Sequence, residues 1–428
     1  MTTTLLDRLA GEYVAARPKS AALHDAAVGF FPAQGATHSA RAAVPFRPYI
    51  VRAQGARKWD VDGHEYLDYV MGHGALILGH GHPAIVSAVQ EQVERGIHYG
   101  DNHPLEVEWA GLIREMMPVA ERVSFFACGQ EANLMGIRLS RLHTGRKGVL
   151  RIRANFHGWA DELSGPAGPG TMAEHVKLAE PNDLVGLEKE LATKQYAILM
   201  VEGGGAFLAG RIPMDPEFYQ AIPGLARKYG TVFLLDEVVT GFREAPGGWQ
   251  SIVGIKPDLT SLGKAVSGGL SAGSLIGRPE IFTPLDPATE SARLVVQGGT
   301  WNAVPMTCAA GIAALNLYRD GVPHRTALAR GEQLVAGANA VFAELGVTAR
   351  CHGRSIVHLV FQGSETGRAM VPAEVGRRLD LHLLHRGVSS FRAEEFVFSA
   401  AHTPADVEAT IGALRESLVA MREEGSLP

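Results

Sequence analysis

The sequence predicts an α/β protein built on a mostly parallel β-sheet that helices cover on both faces. Between residues 71 and 300, short apolar segments alternate with stretches long enough to form helices. Strands that are apolar along their whole length are typical of parallel sheets buried on both faces. The 428 residues, 46% of them hydrophobic, provide enough chain for such a core and for a second domain.

The first zone, residues 1–70, is predicted to contribute to a smaller domain. An amphipathic helix is indicated by apolar residues at helical spacing, namely Leu5, Leu6, Leu9, Tyr13 and Val14. A segment interrupted by glycine and proline follows it. Two short strands are then expected near residues 49–53 and 58–61.

The central zone, residues 71–305, is predicted to be the large α/β domain. Its strand candidates are RVSFFA (122–127), GVLRIR (148–153), YAILMVE (196–202), TVFLLDE (231–237), DLTSLG (258–263) and GSLIG (273–277). The last zone, residues 306–428, mixes helices with a few strands and predicts a smaller α+β domain. An apolar helix, Pro305–Tyr318, is expected to open that domain.

Composition narrows the functional classes. Forty basic and forty-five acidic residues give a net charge of −5, so no strongly basic character points to nucleic acid or a membrane surface. No apolar run reaches the roughly 20 residues that span a bilayer. Three cysteines are too few for a disulfide framework, and the N-terminal residues lack a secretory h-region, which together indicate a cytoplasmic protein.

Two segments carry the strongest chemical pattern. Asp236 ends the predicted buried strand that begins with residues 231–235, and ligands bind beyond the carboxyl ends of the strands in open parallel sheets. Lys264 follows the next strand-like segment and is itself followed by small residues. A partly desolvated lysine has a lowered pKa and can act as a nucleophile. Taken alone, Lys264 could be an ordinary surface lysine, and Asp236 could be an acid that caps a helix.

Taken together, these segments resemble those of class III, fold-type I aminotransferases, which depend on pyridoxal phosphate (PLP). The matching segments are DEVVTGFR (236–243) and LGKAVSGG (262–269), together with GATHSAR (35–41) and AAHT (400–403). The resemblance is greatest to the branch that contains glutamate-1-semialdehyde aminomutase and the β-amino-acid aminotransferases. It covers nearly the whole chain and implies a seven-stranded-type sheet with a smaller domain formed from both termini.

The resemblance implies the roles of several residues around the cofactor. Lys264 would form the Schiff base with PLP and then move the substrate proton, while Asp236 would pair with the pyridinium nitrogen. Phe156, followed by His157, would stack on the cofactor ring, although Tyr is common at this place in the family. Val238 would pack on the ring's other face. A plain core position is the alternative for Phe156.

The phosphate site is expected where a strand leads into a helix through a glycine turn. Members of the family usually have Ser-Gly-Thr-Glu-Ala here, whereas this chain has Cys128, Gly129, Gln130, Glu131 and Ala132. Gly129 and Gln130 can still donate backbone N–H groups to a phosphate, and the Gln130 amide adds a donor. Nothing local marks Cys128 as a thiolate nucleophile, so a packing or turn position is favoured.

Further residues are implied by similarity to the family. Thr300, in QGGTWNAVP, would bind the phosphate of the partner subunit in a homodimer; a turn or helix-capping position is the alternative. Arg41 and Arg392 would bind a substrate carboxylate, for which the planar guanidinium is suited. Glu394 and Glu395 could instead form ion pairs with Arg392.

Two other features of the sequence give weaker indications of function. The histidines at 73, 80, 82, 98 and 103 lack the accompanying ligands of a metal site, so no metal is predicted. Glu202 is followed by three glycines where relatives commonly have Glu-Pro. Extra glycines are expected to loosen or reshape this loop.

The predicted activity is transfer of an amino group from a carboxylate-bearing amino compound, possibly a β-amino acid, to a keto acid or aldehyde. A 2,1-aminomutase of the glutamate-1-semialdehyde type is the main alternative. A racemase or epimerase, and a non-catalytic protein that retains the PLP fold, are further alternatives.

Overall fold

The computed structural model describes residues 5–43, 45–164, 169–207, 209–290, 294–361 and 372–427. Its strands are β1 (Ile50–Gln54), β2 (Arg57–Asp60), β3 (Glu65–Asp68), β4 (Arg122–Phe126), β5 (Gly148–Ile152), β6 (Val176–Ala179), β7 (Tyr196–Glu202), β8 (Val232–Glu237), β9 (Leu259–Gly263), β10 (Gly273–Gly277), β11 (Ala349–Gly353), β12 (Ile356–Phe361), β13 (Val388–Ser389) and β14 (Glu395–Val397).

The longer helices are Leu5–Ala15, Pro18–Val28, Pro83–Arg95, Pro104–Met116, Gly129–Thr144, Leu184–Ala192, Pro216–Tyr229, Pro305–Tyr318, Val322–Leu345, Ala373–His385 and Pro404–Glu423. Short helical segments are Ser39–Arg41, Met71–Gly74, Asp161–Ser164, Gly248–Val253, Lys264–Ser267, Pro279–Phe282 and Thr283–Leu285. Among the described helices, none is both long enough and apolar enough to cross a bilayer.

The chain divides into two compact units. The larger unit contains Gly74–Ile77 and Pro83–Arg325, and the smaller one contains the described residues up to His73, Leu78–His82, and those from Thr326 onward. The boundary therefore lies beyond the one expected at 305. Helix Pro305–Tyr318 belongs to the larger unit because it packs against Pro83–Arg95 and Pro104–Met116.

The larger unit is built on a seven-stranded sheet with the order β4-β10-β9-β8-β7-β5-β6. Neighbours from β9 to β6 are parallel, and β10 runs antiparallel to both β4 and β9. Every residue of β7 and β8 is buried. This confirms the predicted α/β fold, which joins one antiparallel strand to an otherwise parallel set.

Alternate residues of β7 and β8 pack into two different cores. Leu199 and Leu235 pack with helices Leu184–Ala192 and Pro216–Tyr229, whereas Met200 packs with helix Gly129–Thr144. Because side chains alternate across a strand, both faces of the sheet are covered, which explains why these strands are apolar throughout. The unpredicted strand β6 lies at the sheet edge and has an exposed residue, so its sequence lacks a continuous apolar run.

The smaller unit combines segments from both ends of the chain. Its sheets have the orders β1-β2-β3-β13 and β11-β12-β14. Strand β13 pairs in parallel with β3, through Val388 with Leu67 and Ser389 with Asp68. Helix Leu5–Ala15 contributes Tyr13 to a core shared with Leu384 of helix Ala373–His385. The result is the α+β domain from both termini that the sequence predicted.

Candidate active site

The carboxyl ends of the central parallel strands bring three titratable side chains to one edge of the sheet. Glu202 at the end of β7 is the register partner of Asp236 on β8, and Asp236 is in turn the partner of Ser261 on β9. Lys264 follows the last residue of β9. Ligands bind beyond this edge in open α/β sheets, so the geometry defines a candidate active site.

Lys264 begins a short helical segment in an unusual backbone conformation. Its φ is +48°, in the left-handed region that non-glycine residues rarely adopt. The side chain is half-buried, and Ala265, Val266 and Ser267 after it are buried. The surrounding packing holds this strained residue in place, a condition often found at functional sites.

Asp236 is almost fully buried, with 3% of its surface exposed, and is held by three donors. Its Oδ2 accepts hydrogen bonds from His157 Nδ1 at 2.7 Å and Asn133 Nδ2 at 2.8 Å. Its Oδ1 accepts the backbone N–H of Val238 at 3.0 Å. A carboxylate offers about four lone-pair positions, so one remains for a ligand N–H.

The charges of this network follow from burial and hydrogen bonding. Burial lowers the pKa of His157, so the imidazole is neutral and donates through Nδ1–H. Burial also opposes ionisation of Asp236, but hydrogen bonds from His157, Val238 and Asn133 outweigh it and lower the pKa of Asp236. The site therefore holds a buried, ionised carboxylate.

The turn between β4 and helix Gly129–Thr144 lies at the same edge. The helix begins at Gly129, whose neighbour Cys128 is exposed. A Cβ on Gly129 would lie 2.4 Å from a methyl carbon of Val238, so only glycine fits there. Gln130 Oε1 accepts the N–H of Trp159 at 2.7 Å, which leaves the Gln130 amide nitrogen as the end that can donate.

Phe156 lies in the loop after β5, with 44% of its surface exposed. Its ring contacts Phe207 with centroids 6.3 Å apart and planes at 83°. Val238 packs against both Gly129 and Gly263, so it joins the glycine turn to the strand before Lys264. The structure thus gathers the predicted residues of the large domain, apart from Thr300, at one edge.

Thr300 lies on an exposed segment of the larger unit. Its carbonyl oxygen accepts a hydrogen bond from His98 Nε2, and the neighbouring Trp301 ring contacts the His98 ring. No hydrogen bond joins Thr300 to the Gly129–Gln130 turn within the described chain. Among the described residues, no three His, Cys, Asp or Glu side chains lie together as potential metal ligands.

Arg41 and Arg392 both belong to the smaller unit. Arg392 Nη2 donates to the carbonyl oxygen of Ser39 at 3.1 Å, which joins the two arginine segments. Among the described residues, Arg392 forms no ion pair with Glu394 or Glu395. Arg41 lines a cavity of about 490 Å³, and its guanidinium makes no hydrogen bond with any described residue.

That cavity has apolar walls and cationic groups. Phe46, Ile50 and Phe391 contribute apolar surface, and Arg47 lies beside Arg41 in its lining. Arg47 is already engaged, because it donates to Ser390 O at 3.0 Å and pairs with Asp380 at 3.4 Å. Arg41 is therefore the guanidinium best placed to receive an anion in this cavity.

Two site residues were missed by sequence reasoning. Asn133 lies one helical turn after Gly129 and joins Asp236 to the His157 carbonyl oxygen. Asn133 lies among the mostly small and apolar residues of the buried face of this helix, and a polar residue in that pattern was the available indication. Glu202 was noted only for the glycines after it. Like Asp236, it is an acid that ends a fully apolar strand, and that likeness could have identified it.

The fold and this carboxyl edge define a fold-type I PLP-dependent enzyme. Residues 38–340 match the family model described as aminotransferase class-III. A glutamate-1-semialdehyde 2,1-aminomutase of Thermus thermophilus is 36% identical over 397 residues, covering 87% of this chain and 92% of that protein. The chain belongs to the class-III aminotransferase family, which confirms the resemblance and the expected cofactor.

Solved structures agree with this assignment. A β-phenylalanine aminotransferase from Variovorax paradoxus has a TM-score of 0.91 and 31% identity, covering 99% of this chain and 98% of that one. An omega-transaminase from Sphaerobacter thermophilus has a TM-score of 0.88 and 29% identity, covering 96% and 99%. The family relationship makes this chain an enzyme that uses PLP.

Proposed function

We propose that the chain is an aminotransferase that transfers an amino group from a carboxylate-bearing amino compound to a keto acid or aldehyde. The observation that carries the proposal is the placement of Lys264 and the ionised Asp236 at the ends of adjacent parallel strands. A lysine nucleophile beside a carboxylate for the pyridinium nitrogen is the pair of groups that PLP chemistry requires.

The residues present fit PLP. Asp236 has a free lone-pair position for a ring N–H, and the Gly129 and Gln130 N–H groups begin a helix where an anion is stabilised. The bound cofactor supplies an electron sink for the carbon next to the amino nitrogen. Phe156 and Val238 would hold the ring between them.

The protein groups then account for the proton movements. Lys264 would hold the cofactor through its amine, and the same amine, when free, would be the group that takes up and returns the proton of the substrate Cα. Asp236, which is ionised, would favour the protonated form of the ring nitrogen. His157 and Asn133 fix the orientation of Asp236 through their hydrogen bonds.

An aminomutase is the second candidate, because relatives 36% identical to this chain bear that name. The two activities differ in their second substrate. A transferase needs an amino acceptor and shows ping-pong kinetics, whereas a mutase returns the amino group to the same skeleton. We expect α-, β- and ω-amino donors, tested against pyruvate and 2-oxoglutarate, to give alanine or glutamate. Turnover of glutamate-1-semialdehyde without any acceptor would instead establish the mutase.

We propose that Arg41 and Arg392 bind the substrate carboxylate, with the apolar cavity walls receiving its side chain. Alanine at both positions should lower kcat/KM for a carboxylate substrate by about 30- to 1,000-fold, since a lost charged hydrogen bond costs about 2–4 kcal/mol. A simple amine should lose little. The matched control is Arg8→Ala, an exposed arginine of the same unit. Equal losses on both substrates would assign the arginines to folding.

The exposed Cys128 offers a test of the phosphate turn. Saturating PLP should slow alkylation of Cys128 by about 10-fold or more, because a phosphate on the neighbouring N–H groups blocks access and repels the thiolate. Cys308 and Cys351 are internal controls, since burial raises the pKa of each thiol to about 12 and both should stay unreactive. Peptide mass spectrometry measures the three rates. Unchanged Cys128 alkylation would place the phosphate elsewhere.

We propose that the protein is a cytoplasmic homodimer in which Thr300 binds the partner's cofactor. Exposed apolar side chains of the larger unit support an interface, among them Ile97, Tyr99, Val107, Val296 and Trp301. Sedimentation should show a dimer. We expect its interface to bury more than about 2,000 Å² in total. Hybrids of Lys264→Ala and Thr300→Ala subunits should regain one high-affinity PLP site. A fully active monomer would contradict the proposal.

A further inference from the structure

The loop after β7 contains the three glycines that replace the usual proline, and it is firmly held. The Gly205 N–H donates to the Tyr219 hydroxyl at 2.8 Å, and that hydroxyl donates to the Glu202 carbonyl oxygen at 2.6 Å. Ala206 and Ile212 form a bridge across the loop. These contacts define the path of the described loop residues.

The buried carboxyl group of Glu202 joins this loop to the loop after β5. Its Oε2 accepts the backbone N–H of Phe156 at 3.1 Å and that of Phe207 at 2.8 Å. Its Oε1 accepts the Ala209 N–H at 3.4 Å. With 2% of its surface exposed, Glu202 has little access to water, so these backbone groups are its hydrogen-bond partners.

The two phenylalanines held by this carboxyl group also contact each other. Their edge-to-face arrangement, at 6.3 Å, is within the favourable range for aromatic pairs. Phe207 also contacts the buried Arg211, whose guanidinium carbon is 4.7 Å from the Phe207 ring centroid. Phe207 is thus fixed by its backbone and by its ring, and it supports the more exposed Phe156.

We propose that Glu202 is a positioning residue that sets the ring of Phe156 for cofactor stacking, with Phe207 as the supporting side chain. The proposal rests on the proposed role of Phe156 at the PLP ring. It also accounts for the glycine-rich loop, whose path brings the Phe207 N–H to the same oxygen that holds Phe156.

The chemistry of Glu202 suits a positioning role. Burial raises the pKa of Glu202 to about 8, with the nearby Asp236 charge adding to the effect and the backbone N–H groups opposing it. The group is therefore mostly protonated at neutral pH, and a glutamine has nearly the same shape and charge. Glu202→Gln keeps one oxygen for Phe156 and Phe207, whereas Glu202→Ala leaves both N–H groups without an acceptor.

The test compares binding of PLP with binding of inorganic phosphate to the apoenzyme. Glu202→Ala should weaken PLP binding by about 10- to 100-fold, and Glu202→Gln by about 3-fold or less. Phe207→Ala should weaken it by about 3- to 10-fold. Affinity for inorganic phosphate, measured through protection of Cys128 from alkylation, should not change, because phosphate makes no ring contact.

Two further measurements separate positioning from general stability. Tyr219→Phe removes a contact to the same loop without touching Phe156, so it should lower the melting temperature while PLP affinity stays within about 2-fold. In a double-mutant cycle, Phe156→Ala should abolish most of the effect of Glu202→Ala and of Phe207→Ala on PLP affinity.

Opposite results would overturn the proposal. One is that the effects on PLP affinity are additive in the double-mutant cycle. Another is that Glu202→Ala weakens phosphate binding as much as PLP binding, and a third is that Tyr219→Phe binds PLP as weakly as Glu202→Ala does. If Glu202→Ala does not fold, the cycle between Phe207→Ala and Phe156→Ala decides. A failure of the proposed function can be told apart from a failure of this proposal. In that case the wild-type protein would not bind PLP, or Lys264→Ala would leave its PLP binding unchanged.

Discussion

Lys264→Ala is expected to lower kcat by at least about 1,000-fold, since it would remove both the proposed covalent attachment and the proposed proton carrier. The side chain is half-buried, so the unfolding temperature should stay close to that of the wild type. Borohydride reduction followed by peptide mass spectrometry should locate the cofactor on Lys264. Lys264→Arg should be equally inactive, because a guanidinium keeps its charge and is not a nucleophile at neutral pH.

Lys256 is the matched control for this experiment. It is exposed and lies just before β9, the strand that Lys264 follows. Lys256→Ala should retain wild-type kcat and cofactor content. Finding the reduced cofactor on Lys256, or on any lysine other than Lys264, would refute the proposed site as a whole.

Asp236→Asn is expected to lower kcat by about 100- to 1,000-fold while PLP still binds. The neutral amide cannot hold the ring nitrogen protonated, so the electron sink is lost. The amide NH₂ would also face one of the donors that now bind Asp236, namely the Val238 N–H, His157 or Asn133. Single-turnover kinetics with a saturating amino donor measure the loss. A near-native rate would show that a protonated ring nitrogen is unnecessary.

Glu237→Gln is the control for this second prediction. Glu237 is the fully buried neighbour of Asp236, and its oxygens accept hydrogen bonds from Thr240, Trp249 and Gln250. Glu237→Gln should therefore lower the stability of the protein more than it lowers kcat.

The two acids also differ in how their contributions to stability depend on pH. Because the pKa of Asp236 is lowered on folding, its stabilising contribution is present above about pH 4 and is lost in more acidic solution.

Much of the larger unit was accessible from local sequence patterns. Short, mostly apolar segments predicted β4, β5, β7, β8, β9 and β10, and four of these strands, β7 to β10, are buried along their whole length. Asp236 and Lys264 could be singled out because one lies at the carboxyl end of such a strand and the other directly follows one, and the ends of parallel strands meet at one edge. These features depend on a few consecutive residues, so the sequence alone determines them.

Contacts between distant segments needed the tertiary structure. Three features are of this kind: the antiparallel direction of β10, the position of β6 at the sheet edge, and the packing of helix Pro305–Tyr318 in the larger unit. Each depends on which surfaces remain to be covered once the sheet has formed. The link from Glu202 to Phe156 joins residues 46 positions apart through one carboxyl oxygen. A hydrogen bond of this kind leaves no periodic pattern in the chain, because it depends on the meeting of two loops that only the assembled sheet brings together.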